Sequence, residues 1–359
     1  MGRMSPTPTS HDSNSPSSDD VIMSGHQNPT EISAEKLKRL AFKDRAIGQQ
    51  LMKYCCCWVE ETKHSSCVDL YGEFLVTINN SVMLLYYVAG SYVISSVVLF
   101  LCPQLLHKPG RVTFPSRFQA HRGGGGEWTE NTMSAFKQAE LIDVELFELD
   151  VQMTRDGEVV VCHDDNLARV CGVDENISQH LLSTLPLCLK EMEVACEPGE
   201  FMRCEVQQPL VRLEDLYKKF PTVPMQMDLK PGGDELIRKV SDMTKQYNRE
   251  HLTIWGAFSH HTTSLCREHN PNILSFCSMM EVSIYSLLML IGLLPWIPLK
   301  ADFYQIPIPN ISNKSGFLST FPKWFCHLIT PIMCNPLLLW HLEKRGVRTG
   351  AWVLNHLWK

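Results

Sequence analysis

The sequence predicts an α/β fold: a (β/α)8 barrel of the TIM type, preceded by one transmembrane helix. Three observations lead there. From Arg117 onward, strand-like and helix-like segments alternate at the spacing of β–α–β units, which implies a parallel sheet. Acidic residues fall two apart within a strand-like segment, at Glu148 and Asp150, so the pair shares one face. Upstream of both, Val82–Leu101 runs for twenty residues without a charge.

In chain order, residues 1–34 are rich in Ser, Pro, Asp and Thr, as in Ser5-Pro-Thr-Pro and Ser15-Pro-Ser-Ser-Asp-Asp. Such a stretch buries too little apolar surface to order itself, and it lacks the layout of a conventional signal peptide. Residues 35–81 are predicted to be partly helical, with Glu35–Val59 the helical portion. Cys55-Cys56-Cys57 lie there, open to fatty acylation, metal binding or simply free thiols. The apolar run, taken as span 82–102, covers about 30 Å as a helix, the thickness of a bilayer core. Lys108, Arg111 and Arg117 follow it, whereas Lys63 is the nearest basic residue before it, so the charge bias favours a cytosolic C-terminal domain. Three N-x-S sequons, at Asn176, Asn310 and Asn313, would report the opposite orientation if glycosylated.

The barrel is predicted over 116–359. Phe118–Ala120 reads as a strand, Asn131–Leu141 as a helix and Glu145–Val151 as a strand; a turn at Arg155–Gly157 leads to strand Glu158–Cys162. Helix Leu213–Phe220, strand Pro224–Leu229, helix Asp234–Asn248, strand Leu252–Phe258, helix Thr262–His269, strand Asn272–Ser278 and a last strand Ala351–Leu354 continue the alternation. A second apolar stretch, Val282–Leu299, is broken by Gly292, Pro295 and Pro298. It reads either as a surface-inserting lip or as core packing. The 33 Lys+Arg against 39 Asp+Glu give no basic face, which argues against nucleic acid as a partner. Fourteen irregularly spaced cysteines in a chain this long are no disulfide scaffold.

The chemistry concentrates at strand ends, where barrels of this kind carry their reacting residues. Leu146, Glu148 and Asp150 share one strand face, while Phe147, Leu149 and Val151 share the apolar other. Two carboxylates in a low-dielectric spot repel unless a cation lies between them. Hard oxygen donors point to Mg²⁺ or Ca²⁺; the alternative is pairing with Arg or Lys. Asp228 and Lys230 repeat the pattern, Asp228 as a further metal ligand and Lys230 as a phosphate contact or a tether for the carboxylates. His121 and His163 end two predicted strands and titrate in the range needed for proton transfer. Arg122 can clamp two phosphate oxygens, and Gly123–Gly126 allow close backbone approach to an anion. No Lys-Ser/Thr follows these glycines, so they are no nucleotide P-loop.

The ordered set His121-Arg-Gly, Glu130-Asn-Thr, Glu148-Leu-Asp-Val, Thr154, Asp156-Gly157, Val160-Val161 and His163-Asp164 resembles the glycerophosphodiester phosphodiesterase domain. Leu105-Leu106-His107, Arg212–Leu216, Tyr247–Trp255 and Gly292–Pro298 are similar to its vertebrate membrane-anchored branch, domain-containing proteins 1 and 3. The resemblance implies a metal-dependent TIM barrel with lysophospholipase D activity, in the endoplasmic reticulum or perinuclear membrane. It implies that lysophosphatidylcholine or N-acyl-lysophosphatidylethanolamine is the substrate. His121 and His163 would be the acid/base pair, with His163 sometimes a metal ligand. Glu148, Asp150 and Asp228 would hold the metal, and Arg122 and Lys230 would contact phosphate. Because that family continues past the strand matching Gly350–Asn355, the resemblance also implies a barrel lacking its last strand and helix.

Overall fold

The computed structural model describes residues 66–195, 199–307 and 322–352. The expected tail of residues 1–34, most of the 35–81 segment and the end of the last predicted strand lie outside them. Two compact units divide the chain, Met1–Leu85 and Tyr86–Lys359. The described part of the first is the beginning of helix α1, Ser66–Leu101. Its side chains from Tyr71 to Leu85 are all exposed, and most are apolar. The apolar helix therefore starts earlier than the predicted span, and it carries no charge from Phe74 to Leu101.

The second unit is α/β. Strand β1 (Gln119–Ala120) leads through helix α2 (Met133–Leu141) to β2 (Leu146–Met153). An excursion follows: β3 (Val159–Val161), α3 (Ala168–Cys171), β4 (Glu191–Glu193), β5 (Phe201–Arg203), β6 (Val211–Arg212) and α4 (Leu213–Lys219). The alternation resumes with β7 (Met225–Leu229), α5 (Gly233–Gln246), β8 (Thr253–Gly256), α6 (His260–His269), β9 (Leu274–Ser275) and α7 (Met279–Leu290). It ends with β10 (Phe303–Pro307), α8 (Lys323–Met333), α9 (Pro336–Lys344) and β11 (Arg348–Trp352).

The strands β1, β2, β7, β8 and β9 pair in parallel, as do β10 and β11. A single parallel bridge, Phe276 to Phe303, links the two sets. Among the described residues, seven parallel staves thus follow one another in TIM-barrel-like order. One expectation is corrected. The Val159–Val161 strand is no stave: it pairs antiparallel with β2 and then with β6. The sharp reversal at Gly157, where φ is +80°, folds it back on the end of β2. Hairpins and parallel staves share the same two-residue period, so the sequence pattern alone cannot separate them.

Local signals fix the helices. Thr132 caps α2 by accepting from the Ala135 amide, and Ser278 with Glu281 forms a reciprocal capping box on α7. Helix α5 buries Leu236, Ile237, Val240 and Thr244, a stripe at helical spacing. The strand faces then divide the interior. Phe147, Leu149, Val151, Met227 and Trp255 point outward into a core shared with Phe136, Leu216 and Val240. Inward, Leu146, Ile254, Leu274, Phe276 and Phe303 form an apolar floor. Above the floor lies a glutamine layer, in which Gln226 donates to Gln305 at 2.6 Å and Gln305 to Gln119 at 3.0 Å. The next inward positions carry the acids.

Candidate active site

Register sets the site. Glu148 pairs with Gln226 and Asp150 with Asp228 across β2 and β7, so all three acids face inward at neighbouring levels. Asp150 is buried and heavily engaged. It accepts from Asn131 Nδ2 at 3.0 Å, lies 2.8 Å from Lys230 Nζ and 3.4 Å from Arg122 Nε. Burial pushes its pKa up, but the two cations outweigh burial and hold it well below the usual carboxylate range. Lys230 also bonds Asp228 Oδ2 at 2.6 Å. Burial would lower the Lys230 pKa; Asp150 and Asp228 reverse this and raise it. The predicted tether is therefore in place. Asp228 itself is pushed up by burial, which outweighs the ammonium beside it.

Glu148 differs. It accepts from the backbone amide of Arg122 at 2.9 Å, and His121 Nε2 stands 3.8 Å away. Burial, then the charge on Asp150, raises its pKa to about 8. This is a carboxyl in need of positive charge.

His121 follows β1 directly. Burial and then Arg122 depress its pKa, to about 3, although about a third of its side chain remains open. Exposure moderates the size of that shift and leaves its direction, so the imidazole is neutral at pH 7. His163 comes back beside the acids because the antiparallel β3 returns the chain toward Asp150, with the Cys162 amide bonding the Asp150 carbonyl. Its Nδ1–H donates to Asp164 at 2.6 Å, and its charge acts on Asp150, Asp228 and His121. Burial would raise the Asp164 pKa, but the bonds from His163 and Arg169 lower it.

Three contributors were not assigned a role from the sequence. Glu130, buried, bonds Arg122 at 3.1 Å and Arg169 at 2.7 Å. Arg169 in turn bonds Asp164 at 2.5 Å. Asn131, with φ +57°, turns its amide onto Asp150. A chain of contacts therefore runs from His163 through Asp164, Arg169, Glu130 and Arg122 to Asp150. The glycine run plays a different part from the one expected. The amides of Gly124 and Gly125 bond the His121 carbonyl, so they face no anion. Gly123 (φ +75°) and Gly124 (φ +101°) instead permit a tight turn, and a Cβ on Gly123 would meet Ala135 at 3.0 Å.

The expected ligand set of Glu148, Asp150, His163 and Asp228 is not gathered around one point. Among the described residues, no three His, Cys, Asp or Glu side chains form a closed metal cluster. Lys230 separates Asp150 from Asp228, and His163 is turned to Asp164. The donor chemistry still fits a hard divalent cation: three inward carboxylates share the site, and the raised pKa of Glu148 marks a carboxyl that added positive charge would stabilise. A cation would have to displace the Glu148 proton at pH 7, so its affinity is expected to rise with pH through about 8. Calorimetric titration with Mg²⁺ or Ca²⁺ in buffers of different ionisation enthalpy measures that proton. Release as large at pH 9 as at pH 7 would contradict the assignment.

The comparisons with known proteins identify the family. The profile of the glycerophosphoryl diester phosphodiesterase family matches residues 121–287, which contain His121, Glu148, Asp150, His163, Asp228 and Lys230. Human lysophospholipase D GDPD1 is 36% identical over 270 residues, covering 74% of this chain and 85% of that protein. Human lysophospholipase D GDPD3 is 37% identical over 287 residues, covering 76% and 87%. A glycerophosphodiester phosphodiesterase of Caldanaerobacter subterraneus subsp. tengcongensis is 28% identical over 177 residues, 45% of this chain and 68% of that protein. Likeness of this extent means that the chain belongs to the glycerophosphoryl diester phosphodiesterase family, hydrolases of phosphodiester bonds.

Proposed function

We propose that the protein is a membrane-anchored, divalent-cation-dependent lysophospholipase D. It would cleave lysophosphatidylcholine or N-acyl-lysophosphatidylethanolamine into lysophosphatidic acid and the head group. The observation that carries the reading is the pairing of a neutral His121 with an Asp-held His163 over inward carboxylates. The names of two relatives, both lysophospholipases D, support a lysophospholipid as substrate. Helix α1, long and apolar enough to cross a bilayer, supports an anchor, which we place in the endoplasmic reticulum or perinuclear membrane.

His121, held neutral, takes the proton of the neighbouring glycerol hydroxyl as its oxygen attacks phosphorus. The P–O bond to the head group breaks, and His163, protonated and stabilised by Asp164, delivers a proton to the departing alkoxide. Water then opens the cyclic phosphate with the roles reversed. Arg122 and Lys230 face the phosphate oxygens. A cation held by Glu148, Asp150 and Asp228 would add charge neutralisation at those oxygens.

The test is choline release from lysophosphatidylcholine by the folded full-length chain, with EDTA and with Mg²⁺ or Ca²⁺ restored. Chelation is expected to abolish release and add-back to restore it; release indifferent to EDTA would refute cation dependence. Soluble glycerophosphocholine, run in parallel, is the rival substrate, since the glycerol-phosphate end is common to both.

A further inference from the structure

Helix α7 carries apolar side chains on its outward side as well as its buried one. Its core-facing side carries Glu281, ion-paired to Arg267 at 2.5 Å, and Ser286 beside Val282 and Tyr285. Its outward side carries Met280, Ile284, Leu287, Leu290 and, just beyond, Ile291, all exposed. A helix facing water carries polar residues on its outer side. The neighbouring helices likewise carry apolar ones: Trp324 and Leu328 are exposed on α8, Leu337 and Trp340 on α9.

These faces adjoin the end of α1. Tyr92 Oη donates to the Ile291 carbonyl at 2.6 Å, and Trp296 Nε1 donates to Ser96 Oγ at 2.9 Å. The Phe100 ring lies against His341, with ring centres 4.9 Å apart, and against Trp340 at 5.1 Å. The remaining sides of this segment, including Val93, Ile94, Val97 and Leu101, are exposed and apolar. Length agrees with that docking. The charge-free run Phe74–Leu101 makes a helix of about 42 Å, some 12 Å more than a bilayer core requires. Its final turns are therefore free to dock on the catalytic unit.

We propose that the outward faces of α7, α8 and α9, together with Tyr92–Leu101, form a lipid-facing surface that seats the catalytic unit in one leaflet, at the boundary of head groups and acyl chains. Lipid is the occupant because these exposed apolar side chains adjoin a helix long and apolar enough to cross a bilayer. Aromatic and basic side chains stand where an interface would place them, with Lys344 Nζ 5.4 Å over the Trp340 ring. The inference rests on the anchoring reading, and the experiment separates the two.

Full-length protein carrying Leu287→Trp is reconstituted into phosphatidylcholine vesicles with brominated acyl chains. Leu141→Trp, at an exposed apolar position on α2, is the control. Flotation with vesicles reports the anchor. Emission added by Leu287→Trp is expected to be lost to the bromine and protected from aqueous iodide, with the opposite pattern for Leu141→Trp. Flotation together with iodide quenching of Leu287→Trp overturns the lipid-facing surface alone. Shielding from both quenchers, with a crosslinked dimer, assigns the face to a second copy and also overturns it. Failure to float overturns the anchor and this inference with it.

Discussion

His163→Ala is expected to lower kcat for lysophosphatidylcholine by about 10²–10⁴-fold, the usual contribution of one positioned proton-transfer group. His121→Ala is expected to fall in the same range. Both side chains are about a third exposed, and neither is the sole partner of a buried charge. Removing His163 leaves Asp164 bonded to Arg169, so the fold should survive. The thermal midpoint should move by only a few degrees while turnover collapses. Asp164→Asn distinguishes the orienting role: it should reduce kcat less than His163→Ala while leaving KM near the wild-type value. Near-normal turnover by His163→Ala, in protein that unfolds normally, would remove the histidine from the mechanism.

The second large effect is on stability. Glu130→Ala is expected to destabilise the catalytic unit by about 3–5 kcal/mol, because it strips a buried carboxylate from two guanidinium groups. Arg122 is buried, and its other carboxylate contact, Asp150 at 3.4 Å, is shared with Lys230 and Asn131. For a unit of this size that loss corresponds to a drop in Tm of roughly 10 °C. Glu130→Gln, which keeps an acceptor without the charge, should lie between wild type and alanine. Denaturant unfolding in detergent checks this: the midpoint should fall with an unchanged slope. An alanine variant as stable as wild type would mean that the contacts from His163 round to Asp150 do not hold the site together.

Most of the parallel staves were legible because alternation of apolar and polar residues has a physical cause on a half-buried strand. Phe147, Leu149 and Val151 had to face helices, which left Glu148 and Asp150 inward. Helix α7 escaped recognition because its apolar residues line both sides, erasing the periodicity that marks a helix in water. Strand β10 follows the charged Lys300 and Asp302 and ends on Pro307, and α8 contains Pro331, so each lacked its usual signal.

Within the candidate site, the sequence singled out the polar side chains but not their partners. Residue type and spacing singled out His121, Arg122, Glu148, Asp150, His163, Asp228 and Lys230, and the fold brings these side chains to one end of the parallel strands. The sequence by itself determined the alternating order of strands and helices, the inward placement of the acids and the apolar helix. Tertiary structure decided that Lys230 stands between two of those acids, that Glu148 is left wanting a positive charge, and that Arg169 reaches Glu130 across 39 positions. The physical reason is range. Periodicity reports what one segment buries, whereas the protonation and pairing of a buried charge depend on every group brought within a few ångströms by distant parts of the chain.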